Sequence, residues 1–306
     1  MITALRNLPA PAKLNLFLHV TGRRPDGYHL LETVFQLIDL ADRIDLERGP
    51  DGTILLETPL KGVPVEHDLT VRAARLLAQR SGCGLGVTIR IDKRIPMGGG
   101  LGGGSSDAAT VLMGLNRLWG LSLTRRELMQ IGLELGADVP FFIFGRTAYA
   151  TGVGERLQNC PQPRRAFALL APATAVATAA VFSAPELTRD TKPIKIFGLS
   201  RGDRVFSGRN DLQNVVFRLQ PDVQTSLSML CRVTQATGLD ASHARMTGSG
   251  SCVFVPVEED RQAECIVRGV KALPAARSMR VWSVRSIETH PLREWALSAR
   301  HGIRSG

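Results

Sequence analysis

The sequence predicts an α+β fold in two domains, and three observations carry that prediction. The chain has 306 residues with a 44% apolar fraction, about twice an ordinary domain and enough apolar material for two cores. Both halves mix stretches of strand period with stretches of helical period. The composition breaks at Cys160-Pro161-Gln162-Pro163, where proline punctuates the chain. Residues 1–160 are therefore expected as a first domain and 161–290 as a second, with 291–306 as a flexible tail.

The elements follow in order. Lys13, Asn15, Phe17 and His19 alternate with apolar residues, a strand period; read alone, this is an edge strand with a polar face in water. Gly22 to His29 contains Pro25-Asp26-Gly27 turn chemistry, which leaves Tyr28 exposed beside His29. Such a pair either packs back on its own domain or stacks on a flat base. Asp42 to Glu47 reads as a strand, Asp68 to Ser81 as a helix, and Leu85 to Asp92 as a strand. A further helix follows Ser105-Ser106-Asp107, which offer N-cap chemistry, and stops at Gly120. Thr124 and Glu127 form a capping box for the next helix, which ends near Gly136. In the second half, Ala166 to Leu170, Cys252 to Val257 and Arg280 to Ile287 read as strands. Pro221 separates two helical stretches, and Ala263 to Leu273 is helical. Ser183 to Asp211 shows no sustained period.

One segment carries more information than the rest: Pro96-Met97-Gly98-Gly99-Gly100-Leu101-Gly102-Gly103-Gly104-Ser105-Ser106. Ordering so many glycines is costly, and a strand-to-helix position argues against a linker. The helix N-terminus beyond it attracts an anion. A Walker loop needs a lysine after its last glycine, and Ser105 stands there. A dinucleotide fingerprint needs an acid about twenty residues on, at a strand end. No Asp or Glu lies between Asp107 and Glu127, and Glu127 is helical. A different phosphate cradle remains.

Composition excludes other classes. The net charge of +10 comes in separated pairs such as Arg23-Arg24, Lys93-Arg94, Arg125-Arg126 and Arg164-Arg165, with only 5% aromatic residues. Nucleic-acid binding favours a gathered basic stripe with aromatics; dispersed charge suits phosphorylated small molecules or reflects a general surface bias. Five scattered cysteines form no C-x-x-C pair, which fits a reducing cytoplasm without a metal cluster. No stretch reaches membrane-spanning length, and no signal-peptide pattern opens the chain.

The string PMGGGLGGGSSDAA resembles the second motif of the GHMP kinases, in which this loop wraps the phosphates of ATP. The resemblance implies an ATP-dependent kinase, with Mg2+, that acts on an alcohol. Its first domain is expected to resemble the second domain of ribosomal protein S5 and its second to be ferredoxin-like, with the active site between them. It places Lys93 and Pro96, Met97, Gly98, Gly99, Gly100, Leu101, Gly102, Gly103, Gly104, Ser105 and Ser106 at the ATP. The opening string PAKLNLFLHVTGRRPDGYH resembles the branch whose substrate is a cytidine diphosphate-linked methylerythritol, an isoprenoid precursor. It implies that Lys13 and Asn15 face the erythritol hydroxyls, that Tyr28 and His29 read the cytosine, and that Phe182 stands across the cytosine from Tyr28. LGADVPFF resembles the family at its catalytic aspartate, which makes Asp138 the general base, paired with Lys13 to lower the pKa of the attacking hydroxyl. Gly248, Ser249 and Gly250 are implied near the phosphates. Asp68 stands where relatives usually carry asparagine. No metal ligand among the side chains is assigned. The expected partner is that small molecule alone, without nucleic acid or membrane, the chain being a monomer or weak homodimer. Rival readings are another small-alcohol kinase of the mevalonate, homoserine or galactose type, a nucleotide sensor, and a nucleic-acid-binding protein.

Overall fold

The computed structural model describes residues 2–194, 206 and 208–296. The N-terminal sheet is built from β1 (Ala4–Arg23), β2 (His29–Gly49), β3 (Ile54–Leu56), β4 (Gly86–Asp92), β5 (Ala148–Thr151) and β6 (Arg156–Asn159). Its order is β3-β4-β2-β5-β6, with β1 paired antiparallel to β2. The strand expected over residues 42–47 is the far end of the much longer β2. Helices α1 (Leu69–Ser81), α2 (Gly103–Leu118), α3 (Arg125–Leu135) and α4 (Val139–Phe144) cover the sheet. Leu46, Ile89, Leu77, Leu112, Leu128 and Phe142 meet in the core between them.

The second sheet has the order β10-β7-β9-β8, from β7 (Ala166–Ala171), β8 (Arg245–Met246), β9 (Val253–Val257) and β10 (Arg280–Arg285). With it come α5 (Thr178–Ser183), α6 (Gln213–Leu219), α7 (Pro221–Ala236) and α8 (Asp260–Lys271). In the segment expected as irregular, 183–211, most of the described residues are coil or turn, and residues 195–205 and 207 lie outside the described residues.

β1 is the joint between the two halves. Leu14, Leu16 and Phe17 share a third apolar cluster with Phe167, Leu169 and Phe254 of the second sheet. The polar face of β1 is not in water. Lys13, Asn15 and His19 are all buried: Lys13 lies beside Asp138 and Phe35, Asn15 against Thr33 and His19 beside Glu32.

Three local expectations meet the structure differently. The capping box of Thr124 and Glu127 starts α3, and Gly120 takes φ +69° just past α2, as the residues predict. The N-cap of α2 differs: it is Gly102, with φ +71° and no capping side chain. The helix begins earlier than the serines imply, because the glycines themselves take helical geometry and leave their amides open.

The expected tail also starts too early. Residues 291–296 dock on the first domain, with Leu292 and Ala296 buried and Arg125 Nη2 donating to the Arg293 and Ala296 carbonyls at 3.0 and 3.2 Å. The Arg117 guanidinium lies 4.6 Å from the Trp295 ring centre. Residues 297–306 lie outside the described residues.

His290 anchors this segment. Its backbone N–H donates to Gly145 O at 2.9 Å, and its Nδ1 accepts from Leu292 N at 3.0 Å. Burial pushes the imidazole pKa down to about 3, whereas an unfolded histidine titrates near 6.5. The folded chain thus stays neutral there while the unfolded chain gains a proton. Its contribution to stability is full above about pH 6.5 and is lost as pH falls toward 3. Denaturant titrations are expected to show the wild type losing about 1.3 kcal/mol more than His290→Gln between pH 7 and 5.5. Equal losses in the two proteins would refute this role.

Candidate active site

Several elements converge on one cleft of about 1040 Å³ between the domains. Its wall includes nearly every residue that the sequence singles out: Lys13, Asn15, Tyr28, His29, Phe182, Lys93, Pro96 through Ser105, Asp138 and Gly248 to Gly250. Ser106 is the exception. It is fully buried, and its hydroxyl donates to Pro11 O at 2.6 Å, so it ties α2 to β1 rather than facing a ligand.

The glycine loop is held from both sides. Lys13 N donates to Leu101 O at 3.0 Å from β1. From the second domain, Ser251 N donates to Gly98 O at 3.2 Å and Cys252 N to Gly99 O at 3.1 Å. Gly100 has φ +74°, and a Cβ there would lie 2.3 Å from Thr247 O. Gly102 has φ +71°, and a Cβ would lie 2.9 Å from Phe142 Cζ and 3.2 Å from Lys13 Cε. The glycines therefore serve close packing as well as open amides. The first helical N–H to bond back is that of Ser106, to Gly102 O at 2.9 Å. The preceding amides at the start of α2 have no intrahelical partner, and the dipole adds positive potential there.

Lys13 and Asp138 meet next to this loop. Lys13 Nζ lies 3.6 Å from Asp138 Oδ2, donates to Asn15 Oδ1 at 2.5 Å and sits 5.2 Å from the Phe35 ring centre. Burial lowers the Lys13 pKa, and the Asp138 charge opposes that drop. Asn15 is held in turn by its Nδ2, which donates to Thr33 Oγ1, and by its backbone N, which donates to Thr247 Oγ1, both at 2.9 Å. Its amide oxygen is thus committed to orienting Lys13. Asp138 precedes α4 but makes no side-chain cap bond, and its side chain is 34% exposed. A carboxylate with no local structural duty beside a buried ammonium is available for chemistry.

Lys93 is close to the loop but already paired. Its Nζ bonds Asp42 Oδ2, and Asp107 Oδ2 at 2.7 Å. Burial lowers the Lys93 pKa, but the two carboxylates outweigh that effect and raise it. Asp42 also accepts backbone N–H groups from Arg94 at 2.5 Å and Ile95 at 2.8 Å. Burial pushes the Asp107 carboxyl up to about 8 despite Lys93, since one ammonium cannot neutralise two buried acids. Asp68 accepts from Thr70 N at 2.8 Å as the N-cap of α1, a bond that an asparagine oxygen can also accept.

At the other end of the cleft, the β1–β2 turn carries Tyr28, which is 64% exposed. Its N–H donates to Asp26 Oδ1 at 3.2 Å, an Asx-type turn that sets the tip. The ring contact of Phe182 is with His29, at 5.1 Å between centroids and 32° between planes. Tyr28 and Phe182 both line the cleft, but the sequence does not reveal the His29 contact, which depends on how the second domain docks. Sequence reasoning also misses Asp42, Thr247 and Arg189. Arg189 lies in the stretch without a period, and nothing local marks it.

Fold and site together define a small-molecule kinase with a glycine loop between strand and helix at its cleft. Residues 68–146 match the GHMP kinases N terminal domain and residues 199–275 match the GHMP kinases C terminal domain. The chain is 51% identical to the 4-diphosphocytidyl-2-C-methyl-D-erythritol kinase of Aromatoleum aromaticum, over 96% of this chain and 98% of that one. It is 36% identical to a solved 4-(cytidine 5'-diphospho)-2C-methyl-D-erythritol kinase, covering 91% of this chain and 98% of that one, with a TM-score of 0.72. A homoserine kinase from Cytophaga hutchinsonii shares the fold, with a TM-score of 0.67 at 14% identity over 95% and 96% of the two chains. The chain belongs to the GHMP kinases, in the branch of the 4-diphosphocytidyl-2-C-methyl-D-erythritol kinases.

Proposed function

We propose that this kinase transfers the γ-phosphoryl group of ATP to a hydroxyl of 4-diphosphocytidyl-2-C-methyl-D-erythritol. One observation carries the reading: a single cleft holds the glycine loop, the Lys13–Asp138 pair and the Tyr28, His29 and Phe182 rings. The near-full-length identity to kinases of that name supports the choice of substrate.

The chemistry follows from the geometry. The open amides of the loop and the start of α2 bind the phosphates. Asp138 takes the proton of the acceptor hydroxyl as its oxygen forms a bond to the γ-phosphorus and the bond to ADP breaks. The Lys13 ammonium draws the hydroxyl toward the alkoxide and is aimed by Asn15. Tyr28, His29 and Phe182 supply the faces and edge for a pyrimidine base. Leu60, Val63 and Leu69 line the wall near Asp68, an apolar surface suited to adenine.

The residues fit a magnesium ion that arrives with ATP. Among the described residues no group of three or more His, Cys, Asp or Glu side chains can hold a metal, so the phosphates would supply most ligands. Asp107 Oδ1 is a buried carboxyl oxygen without a partner in a residue that lines the cleft beside Ser105. These two would hold the ion from the protein side, where it would neutralise developing charge on the phosphate oxygens.

The test is ADP release with the cytidyl substrate, mevalonate and homoserine in parallel. The cytidyl compound is expected to be turned over with the highest kcat/KM; preference for either of the others would overturn the assignment. Because Tyr28 is exposed and packs little, Tyr28→Ala is expected to raise KM for the cytidyl substrate about tenfold, from a lost stacking face of about 1–3 kcal/mol. Its kcat should stay within about threefold of wild type, and an unchanged KM would remove Tyr28 from the base site.

A further inference from the structure

We propose that Arg189 is a positioning residue for base specificity: it fixes the His29 imidazole with its proton on Nδ1, so that the cleft offers a donor to the acceptor edge of cytosine. The inference rests on the substrate reading above.

The Arg189 guanidinium has five N–H groups, and five acceptors meet it. Nη1 donates to Pro185 O at 3.3 Å and Leu187 O at 2.9 Å. Nη2 donates to Phe182 O at 3.2 Å and Ala184 O at 2.8 Å. The remaining group, Nε–H, donates to His29 Nε2 at 3.0 Å. The chain from Phe182 to Leu187 thus folds as a cradle of carbonyls around one cation, and the cation reaches out of the cradle to a single side chain.

That contact decides a proton position. Arginine does not lose its proton in proteins, so it can only donate, and Nε2 can only accept. A neutral imidazole then carries its hydrogen on Nδ1. Burial, followed by the charges of Arg189 and Arg23, lowers the His29 pKa, in keeping with a neutral ring. His29 lines the cleft, and with Nε2 engaged by Arg189 Nδ1–H is the ring nitrogen left for a ligand. The same cradle places Phe182 against the ring, so one arginine sets both the tautomer and its aromatic neighbour.

Cytosine presents acceptors at N3 and O2, whereas uracil carries a proton on N3. A fixed donor that meets N3 therefore favours cytosine, and a ring free to change tautomer does not discriminate. A lysine cannot replace the arginine, because three donors on a rotating ammonium cannot fill a planar set of five.

The test has two arms on the full chain. In the first, 15N-labelled histidine reports the tautomer by NMR, without any substrate. The wild type is expected to show the His29 proton on Nδ1, and Arg189→Met to lose that preference. A wild-type proton on Nε2, or an unchanged tautomer in the variant, would overturn the proposal. In the second arm, Arg189→Met and Arg189→Lys are expected to raise KM for the cytidyl substrate at least tenfold. Their kcat should stay within about threefold and KM for ATP should not change. The preference for CMP over UMP, read by calorimetry, should shrink by a similar factor. Parallel loss of kcat, ATP binding and melting temperature would show a merely structural role and also overturn it. If the wild type ignores the cytidyl substrate, the substrate reading and the specificity role fail, while the NMR arm still decides whether Arg189 sets the tautomer.

Discussion

Replacing Asp138 by alanine is expected to lower kcat at least about a hundredfold, the usual lower range for loss of a general base. Stability is expected to fall modestly, because the buried Lys13 ammonium loses the charge that opposes its burial. The Asp138 side chain makes no cap bond for α4 and is one-third exposed, so its removal leaves no buried group stranded except the Lys13 ammonium 3.6 Å away. That ammonium keeps its bond to Asn15. Asp138→Asn is the sharper variant, since it keeps shape and hydrogen bonding while removing the base. Both should leave KM for ATP close to wild type, because the phosphate cradle is backbone from another segment. A fall in kcat of less than tenfold in the folded variant would exclude Asp138 as the base.

Gly100→Ala is expected to cost at least about thirtyfold in kcat/KM for ATP. Two effects add. A non-glycine residue at φ +74° is strained by about 1–2 kcal/mol. The new Cβ would also lie 2.3 Å from Thr247 O and 3.0 Å from Gly250 N, which are backbone atoms that cannot swing aside. The loop or the 247–250 turn must shift, and either shift moves the amides aimed at the phosphates. A loss of about 2 kcal/mol corresponds to the thirtyfold figure. Gly84→Ala is the control, since a Cβ there meets nothing within 4 Å. Equal ATP kinetics for the two variants would show that the close approach of loop and turn is not needed for binding.

Much of the site is legible in the sequence, although unevenly. The glycine run, the Thr124–Glu127 box and the Pro25-Asp26-Gly27 turn are local. They restrict φ and ψ or satisfy nearby backbone groups, so neighbours in sequence suffice to read them. The start of α2 is misread because serines favour capping positions, yet the glycines, aligned by contacts on both sides of the loop, already complete the turn. Ser106, which the resemblance places at the ATP, instead gives its hydroxyl to Pro11 O, a partner supplied by β1. The resemblance places Lys93 at the ATP, and only the tertiary structure supplies its two acid partners, from β2 and α2.

What the sequence determines by itself is the set of parts: a glycine loop between strand and helix, a turn that displays Tyr28, and an acid leaving a helix at Asp138. Each follows from backbone geometry within a few residues. The tertiary structure alone decides their partners. Packing around β1 buries its polar residues Lys13, Asn15 and His19, and the first two line the cleft. Sheet register and domain docking bring Lys13 to Asp138, Thr247 to Asn15 and Arg189 to His29. These pairings lie far apart in the chain, and side-chain burial and hydrogen-bond satisfaction select them only after the sheets have packed.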